Sequence, residues 1–406
     1  MKSSKEIITV IGLGYIGLPT AALLANKGYR VNGIDLNIGI VETVNRGEIH
    51  IIESDLKEYV SSAVSKGNLK AFNNIKAADI FMICVPTPLF DNEIPTPNVD
   101  FVIEATKSIS KVIKDGDLVI LESTSPPGTT EVVGDVLKSS GIDITKIFIT
   151  YCPERVLPGN ILEELITNPR VVGGLTEESS KKAAKFYSSF VTGEILVTDA
   201  NTAEMCKLVE NSFRDLNIAF ANELSIICES LNVDVWELIR LANHHPRVNI
   251  LQPGSGVGGH CIAVDPWFLA SADPKNSKMI KTARETNNNK PLWVTNKIIS
   301  IANISKSKKI ACLGLSFKPN IDDLRESPAV EIVKNLIREG YEVGCVEPNI
   351  ESHSEFCIIN LHDALNDFDL IAILVGHKEF TSEDITYRLK LKNSIDFCGI
   401  LQNKKK

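Results

Sequence analysis

The residues best suited to covalent chemistry lie in the run Gln252-Pro253-Gly254-Ser255-Gly256-Val257-Gly258-Gly259-His260-Cys261-Ile262-Ala263-Val264-Asp265-Pro266. Four glycines just upstream of a thiol keep side chains away from the sulfur. A carbon electrophile can then approach it, and backbone N–H groups can face a developing oxyanion. Cys261 is the candidate nucleophile, against the plainer reading of one more packed thiol. A reactive thiolate needs positive charge or donors nearby. Lys207, Asn211 and Arg214 stand at i, i+4 and i+7, on one face of a helix, and can supply them. The same spacing also suits the solvated side of a surface helix. Asp265 is either a functional carboxylate or a cap ahead of Pro266.

A second constellation opens the chain. Gly12-x-Gly14-x-x-Gly17 has the dinucleotide fingerprint, in which the glycines allow a tight turn, close approach of a pyrophosphate and close packing of helix on strand. The helix start then offers N–H groups and a positive dipole end to phosphates. Asp35 follows at the end of the next strand, where a carboxylate accepts from a ribose diol and repels a 2′-phosphate, so the expected cofactor is NAD rather than NADP. Thr87 and Thr124 fall just past the C-terminal ends of later strands, the edge where such sheets bind ligands, although hydroxyl residues are also common in plain turns.

These groups need a scaffold, and the hydrophobic pattern outlines one. Residues 7–11, 29–34, 80–85, 118–121 and 147–150 read as strands separated by helical stretches, the rhythm of a parallel, doubly wound sheet. Near Asp199 the pattern changes. Asn201-Thr202-Ala203-Glu204 has the form of a capping box, and the periodicity after it predicts one long helix to about Leu231. Helical segments are expected again over 236–242 and 280–301. From Lys308 the α/β rhythm returns as a weak copy of the start: 309–314 matches the first strand and turn, Gly340-Tyr341-Glu342-Val343 echoes Gly28-Tyr29-Arg30-Val31, and 369–375 echoes 79–85. The expected fold is α/β, with two Rossmann-like doubly wound domains joined by a long central helix and a helical middle domain. The boundaries read as 1–198, 199–303 and 304–406.

The bulk numbers exclude other classes. The 406 residues carry a net charge of −8 without a basic stripe, which argues against a nucleic-acid partner. No apolar run of spanning length and no leader-like segment is visible, so a cytoplasmic protein without a membrane partner is expected. Nine cysteines with no metal-ligand spacing argue against a disulfide framework and against a metal site.

The chain resembles the UDP-glucose and GDP-mannose dehydrogenase superfamily over essentially its entire length. The resemblance is carried by Gly12-Leu13-Gly14-Tyr15-Ile16-Gly17, Cys84-Val85-Pro86-Thr87-Pro88, Glu122-Ser123-Thr124 and Tyr151-Cys152-Pro153-Glu154-Arg155. It continues through the helix holding Lys207, the cysteine loop, Gly314-Leu315-Ser316-Phe317-Lys318-Pro319 and Asp322-Asp323-Leu324-Arg325-Glu326-Ser327-Pro328. The resemblance implies oxidation of a sugar C6 alcohol to the acid with two NAD per substrate, through a thiohemiacetal and a thioester on Cys261. It assigns acid/base and oxyanion work to Lys207, assisted by Asn211 and Asp265, and water positioning to Glu154 and Thr124. Gly12, Gly14, Tyr15, Ile16, Gly17, Asp35, Thr87, Thr124 and Arg325 would then contact the cofactor. Arg155, Val156, Lys207, Asn211 and Arg214 would contact the sugar nucleotide, together with His245, Arg247, Gly258, Phe317 and Lys318. A homodimer through the central helix is also implied, with His245 and Arg247 able to serve the neighbouring subunit.

Ile262-Ala263-Val264-Asp265-Pro266 after the cysteine, with Pro246-Arg247-Val248-Asn249 upstream, is most similar to the branch acting on UDP-N-acetylmannosamine. UDP-N-acetylglucosamine and UDP-glucose are the alternatives. Ser255, where relatives often have proline, and Phe397-Cys398-Gly399 depart from the pattern. Two rivals remain: a two-electron NAD dehydrogenase in which Cys261 is only structural, and a non-catalytic sensor of nucleotides.

Overall fold

The structure, a computed structural model, describes residues 6–51, 53–157 and 159–402. The chain forms two compact units, residues 1–210 with 267–272, and residues 211–266 with 273–406.

In the first unit the strands are β1 (Ile7–Ile11), β2 (Arg30–Ile34), β3 (Leu69–Phe72), β4 (Ile80–Ile83), a small hairpin of β5 (Leu89–Phe90) and β6 (Thr96–Pro97), then β7 (Leu118–Leu121), β8 (Phe148–Tyr151), β9 (Arg170–Gly174) and β10 (Ile195–Asp199). All but the hairpin join one sheet in the order β10-β9-β8-β7-β4-β1-β2-β3. The central strands read IITVI, IFMI and LVIL without polar alternation because helices cover both faces. Ile8, Val10, Ile80 and Met82 enter one core, whereas Ile11, Phe81 and Ile83 enter the other. The sheet departs from the expected parallel pattern at one edge, where β9 runs antiparallel to β8 and carries β10 with it. Antiparallel neighbours need no full crossover unit, and the helix between β8 and β9, Ile161–Thr167, is short.

The predicted long helix spans Ala200–Ser230. Its expected capping box is not formed. Asp199 takes that role, accepting from Thr202 N at 2.9 Å and Thr202 Oγ1 at 2.7 Å. Glu204 turns away to accept from Gly128 N at 2.6 Å, Thr130 N at 2.7 Å and Thr130 Oγ1 at 2.6 Å, and so caps the helix Thr129–Ser139 instead. Local spacing cannot tell a carboxylate that caps its own helix from one that caps a neighbour.

The second unit pairs the end of the long helix with helix Lys278–Ser305 through a buried polar seam. Arg284 lies 2.6 Å from Asp215, Asn287 Nδ2 donates to Asp215 Oδ1 at 2.8 Å, and Asn222 Nδ2 donates to Asn287 Oδ1 at 2.9 Å. Its sheet holds β11 (Lys309–Leu313), β12 (Glu342–Val346), β13 (Leu370–Ile373) and β14 (Ser394–Asp396), all parallel, in the order β12-β11-β13-β14. The internal echo extends to geometry: Gly12 N donates to Ile34 O at 2.8 Å, and Gly314 N to Val346 O at 2.8 Å. No described helix is long and apolar enough to cross a membrane.

Candidate active site

At the end of β1, Gly12 adopts φ +90°, and a Cβ on Gly17 would lie 1.8 Å from Gly12 O, so helix Gly17–Asn26 can seat on the strand only with glycine there. A Cβ on Gly14 would meet nothing within 4 Å, which leaves the turn open to an approaching phosphate. No side chain caps this helix, whose N-cap is Ile16, and Tyr15 beside it is exposed. Asp35 is fixed next to the turn: Leu13 N donates to its Oδ2 at 3.0 Å and Asn37 N to its Oδ1 at 2.9 Å. Open turn, uncapped helix start and anchored carboxylate fit the pyrophosphate and ribose of NAD. Along the same sheet edge, Thr87 Oγ1 donates to Thr124 O at 2.7 Å, so the two strand-end threonines meet.

Beyond β8, Glu154 is buried between Arg170 Nη1 at 2.5 Å and the backbone N–H of Arg155 at 2.7 Å. Burial works against the Arg170 charge, but Glu154 beside it holds the guanidinium above its ordinary range. The Arg155 side chain pairs with Glu210 at 2.7 Å, while Val156 packs against the core. Glu122 lies in the same pocket of polarity, accepting from Tyr187 OH at 2.6 Å and from Cys84 Sγ at 3.3 Å. Burial, reinforced by the nearby Glu154 charge and opposed by Arg170, raises its carboxyl to about 7. Burial likewise pushes the Cys152 thiol up to about 12, so it stays a thiol.

In the second unit the cysteine loop is pinned at several points. Gly254 N donates to Asn222 Oδ1 at 2.9 Å, and Ser255 Oγ donates to Leu374 O at 3.1 Å. Cys261, exposed, gives its carbonyl to Val264 N at 3.0 Å and Asp265 N at 2.8 Å, so it sits one turn ahead of the helix Asp265–Ala272. Asp265 is only 3% exposed, and its Oδ2 accepts from Asn211 Nδ2 at 2.5 Å. The expected openness of the glycines holds for Gly254 alone, because Cβ atoms on Gly256, Gly258 and Gly259 would press on Pro328, on Glu326 O and on the Phe317 ring at 2.9, 2.3 and 2.9 Å. Those glycines serve close packing, which joins the loop to the turn bearing Phe317 and Lys318. Arg325 chelates Asp323 at 2.8 and 2.6 Å. Burial and the Arg325 charge lower the His260 imidazole below its ordinary value. Lys207 is half-buried and Arg214 exposed on the long helix. His245 and Arg247 occupy an exposed loop, where Arg247 N donates to His245 Nδ1 at 3.4 Å and Asn243 and Ile250 bond to each other across its ends.

Comparison with known proteins matches the UDP-glucose/GDP-mannose dehydrogenase family along the chain: its NAD binding domain over residues 6–191, its central domain over 201–289 and its UDP binding domain over 311–403. The chain belongs to this family. It is an NAD-dependent UDP-sugar dehydrogenase. A UDP-N-acetyl-D-mannosamine dehydrogenase of Campylobacter jejuni is 52% identical, covering 92% of this chain and 96% of its own. An NDP-N-acetyl-D-galactosaminuronic acid dehydrogenase of Ralstonia nicotianae is 49% identical, covering 98% and 97%. The solved UDP-N-acetyl-mannosamine dehydrogenase Cap5O from S. aureus superposes with a TM-score of 0.88 at 41% identity, covering 98% and 96%.

Several residues that shape this dehydrogenase were given no role from the sequence. Arg170, Glu122 and Tyr187 form the buried surroundings of Glu154, yet they come from separate elements. The one available signal was a carboxylate, Glu122, directly after the apolar strand β7. Asn222, which holds the cysteine loop, is one polar residue among many on the long helix.

Proposed function

We propose that this enzyme oxidises the C6 alcohol of UDP-N-acetyl-D-mannosamine to UDP-N-acetyl-D-mannosaminuronate, using two NAD. The observation that carries the reading is an exposed thiol, Cys261, one helical turn from a buried carboxylate that is bonded to Asn211. The mannosamine relatives supply the sugar.

NAD, held at the Gly12–Gly17 turn beside Asp35, would supply the hydride acceptor for each of the two oxidations, a second NAD replacing the first NADH between them. Lys207 takes the hydroxyl proton as C6 gives up its first hydride. The Cys261 thiolate adds to the resulting aldehyde, forming a C–S bond, and Lys207 returns a proton to the oxygen. Loss of the second hydride from C6, with the hydroxyl proton passing again to Lys207, leaves a thioester. Water then adds to the thioester carbon, the C–S bond breaks, the thiolate leaves and the carboxylate departs with the nucleotide, while the two protons of that water and the one held by Lys207 pass to solvent. Glu154, both of whose oxygens are already anchored, is a fixed acceptor for that water, with Thr124 as its partner. Asn211 and Asp265 hold each other in place beside the cysteine turn and assist Lys207. In this reading Gly12, Gly14, Tyr15, Ile16, Gly17, Asp35, Thr87 and Arg325 hold the cofactor. The sugar nucleotide is held by Arg155, Val156, Arg214, His245, Arg247, Gly258, Phe317 and Lys318.

The long helix presents Phe213, Phe220 and Ile227, seven residues apart and 69%, 54% and 44% exposed. An apolar stripe of that kind supports a homodimer through this helix. None of the nine cysteines is joined in a disulfide, which supports a cytoplasmic enzyme.

The Ralstonia relative favours a second reading, a UDP-sugar of galacto configuration with the same chemistry. Incubation of the pure chain with NAD and each of UDP-N-acetylmannosamine, UDP-N-acetylgalactosamine, UDP-N-acetylglucosamine and UDP-glucose decides between them. Two NADH per UDP-N-acetylmannosamine, with a uronate product, is the expected result. One NADH and a stable aldehyde would overturn the four-electron mechanism, and turnover confined to another sugar would overturn the substrate.

A further inference from the structure

The repeat of the first half in the second is close enough to compare residue by residue. β1 and β11 lead into Gly12 and Gly314, with φ +90° and +88°. The next N–H in each is bound by the carboxylate just past the second strand: Leu13 N by Asp35 at 3.0 Å, and Leu315 N by Glu347 at 2.7 Å. Two residues later in each, Asn37 N and Asn349 N donate back to the same carboxylates at 2.9 and 3.2 Å. Ile83 pairs with Ile11 as Ile373 pairs with Leu313, which sets Thr87 and His377 at corresponding positions past their strands.

The halves diverge at that last position. Thr87 turns to Thr124 and leaves Asp35 partly exposed. His377 turns onto Glu347, its Nε2 3.0 Å from Glu347 Oε2, and both side chains are fully buried. Asn320 N donates to His377 Nδ1 at 3.0 Å and Asn349 Nδ2 approaches it at 3.3 Å, so Nδ1 is the acceptor and Nε2 carries the hydrogen toward Glu347. Glu347 Oε2 also accepts from Ser316 N at 3.0 Å, and Ser316 Oγ donates to Lys318 O at 2.8 Å. Burial alone would raise the Glu347 carboxyl, yet the hydrogen bonds from His377, Leu315 and Ser316 outweigh it and hold it below its ordinary range. The carboxylate that would meet a ribose diol in a dinucleotide site is thus consumed inside the protein. What it holds is the backbone of residues 315–320, whose Phe317 packs on Gly258 and Gly259 of the cysteine loop.

We propose that Glu347 and His377 are positioning residues: a buried clamp that holds the 315–320 turn in the shape that receives the uridine nucleotide, in place of a second dinucleotide site. The inference rests on the reading of Phe317 and Lys318 as nucleotide contacts.

Calorimetric titration of the full-length chain with UDP, and separately with NAD, tests it on His377→Ala, His377→Gln, Asn349→Ala and Lys318→Ala. His377→Ala is expected to weaken UDP binding about ten-fold and to raise KM for the UDP-sugar, with NAD affinity and kcat near wild type. Asn349→Ala, at an exposed position, should show a smaller loss in the same direction and carries the test if His377→Ala does not fold. His377→Gln keeps a donor for Glu347 and should recover part of the affinity. Wild-type UDP affinity in the His377 and Asn349 variants, with Lys318→Ala weakened, overturns the clamp alone. Wild-type affinity in Lys318→Ala overturns the nucleotide-contact reading beneath it. An equal loss of NAD and UDP affinity in the folded variants also overturns the clamp, since it marks general damage instead of positioning.

Discussion

Asn211 and Asp265, 54 residues apart in sequence, meet through a 2.5 Å hydrogen bond from the amide to a carboxylate that is almost wholly buried. Asp265 in turn donates its backbone N–H to the carbonyl of Cys261, so one contact ties the long helix to the turn that presents the thiol. Taking one donor from a buried carboxylate is costly. Asn211→Ala is therefore expected to lower kcat by roughly ten- to a hundred-fold. Asn211→Asp should do worse, because it sets two like charges against each other. Steady-state NADH formation beside a thermal melt checks this; wild-type rates in Asn211→Asp would sink the assignment.

Cys261 offers the test of the proposed covalent step. Cys261→Ala should form no uronate, and Cys261→Ser should stall with a trapped intermediate detectable by mass spectrometry of the intact protein. Because the thiol is exposed, neither change disturbs a core, and both variants should melt as the wild type does. Uronate production by Cys261→Ala at the normal rate would remove the thioester from the mechanism.

Asp35 both anchors Leu13 and stands where a 2′-phosphate would be repelled. Asp35→Asn should raise KM for NAD about ten-fold and at the same time improve the use of NADP. A parallel loss with both cofactors would mean that only the shape of the turn had been damaged.

Glu122 makes a prediction about pH. Its carboxyl is raised from 4.5 to about 7 in the folded chain. The unfolded chain therefore releases this proton first, and stability contributed by the neutral form is lost as pH rises from about 4.5 through about 7. The full span is worth on the order of 3 kcal/mol. Glu122→Gln should flatten this part of the stability profile and melt higher than wild type above pH 7. Chemical denaturation at several pH values measures it, and an unchanged slope would show that Glu122 is ionised throughout.

Much of this enzyme was legible in its sequence because the governing physics is local. Strands buried on both faces are near-continuously apolar, which marked β1, β4 and β7, and the fingerprint glycines answer steric demands set within a few residues of each other. The candidate thiol announced itself the same way. Tertiary structure decided whatever depends on which distant groups meet. Glu204 capped a neighbouring helix instead of its own, three of the loop glycines proved to serve contact with the 317–328 segment, and Asp265 proved to be the partner of Asn211 as well as the first residue of a helix. Glu347 copies the position of Asp35 but is sealed by His377, a difference that turns on one residue thirty positions away. A polar side chain carries no mark of the partner that will satisfy it when buried; only the folded chain supplies one.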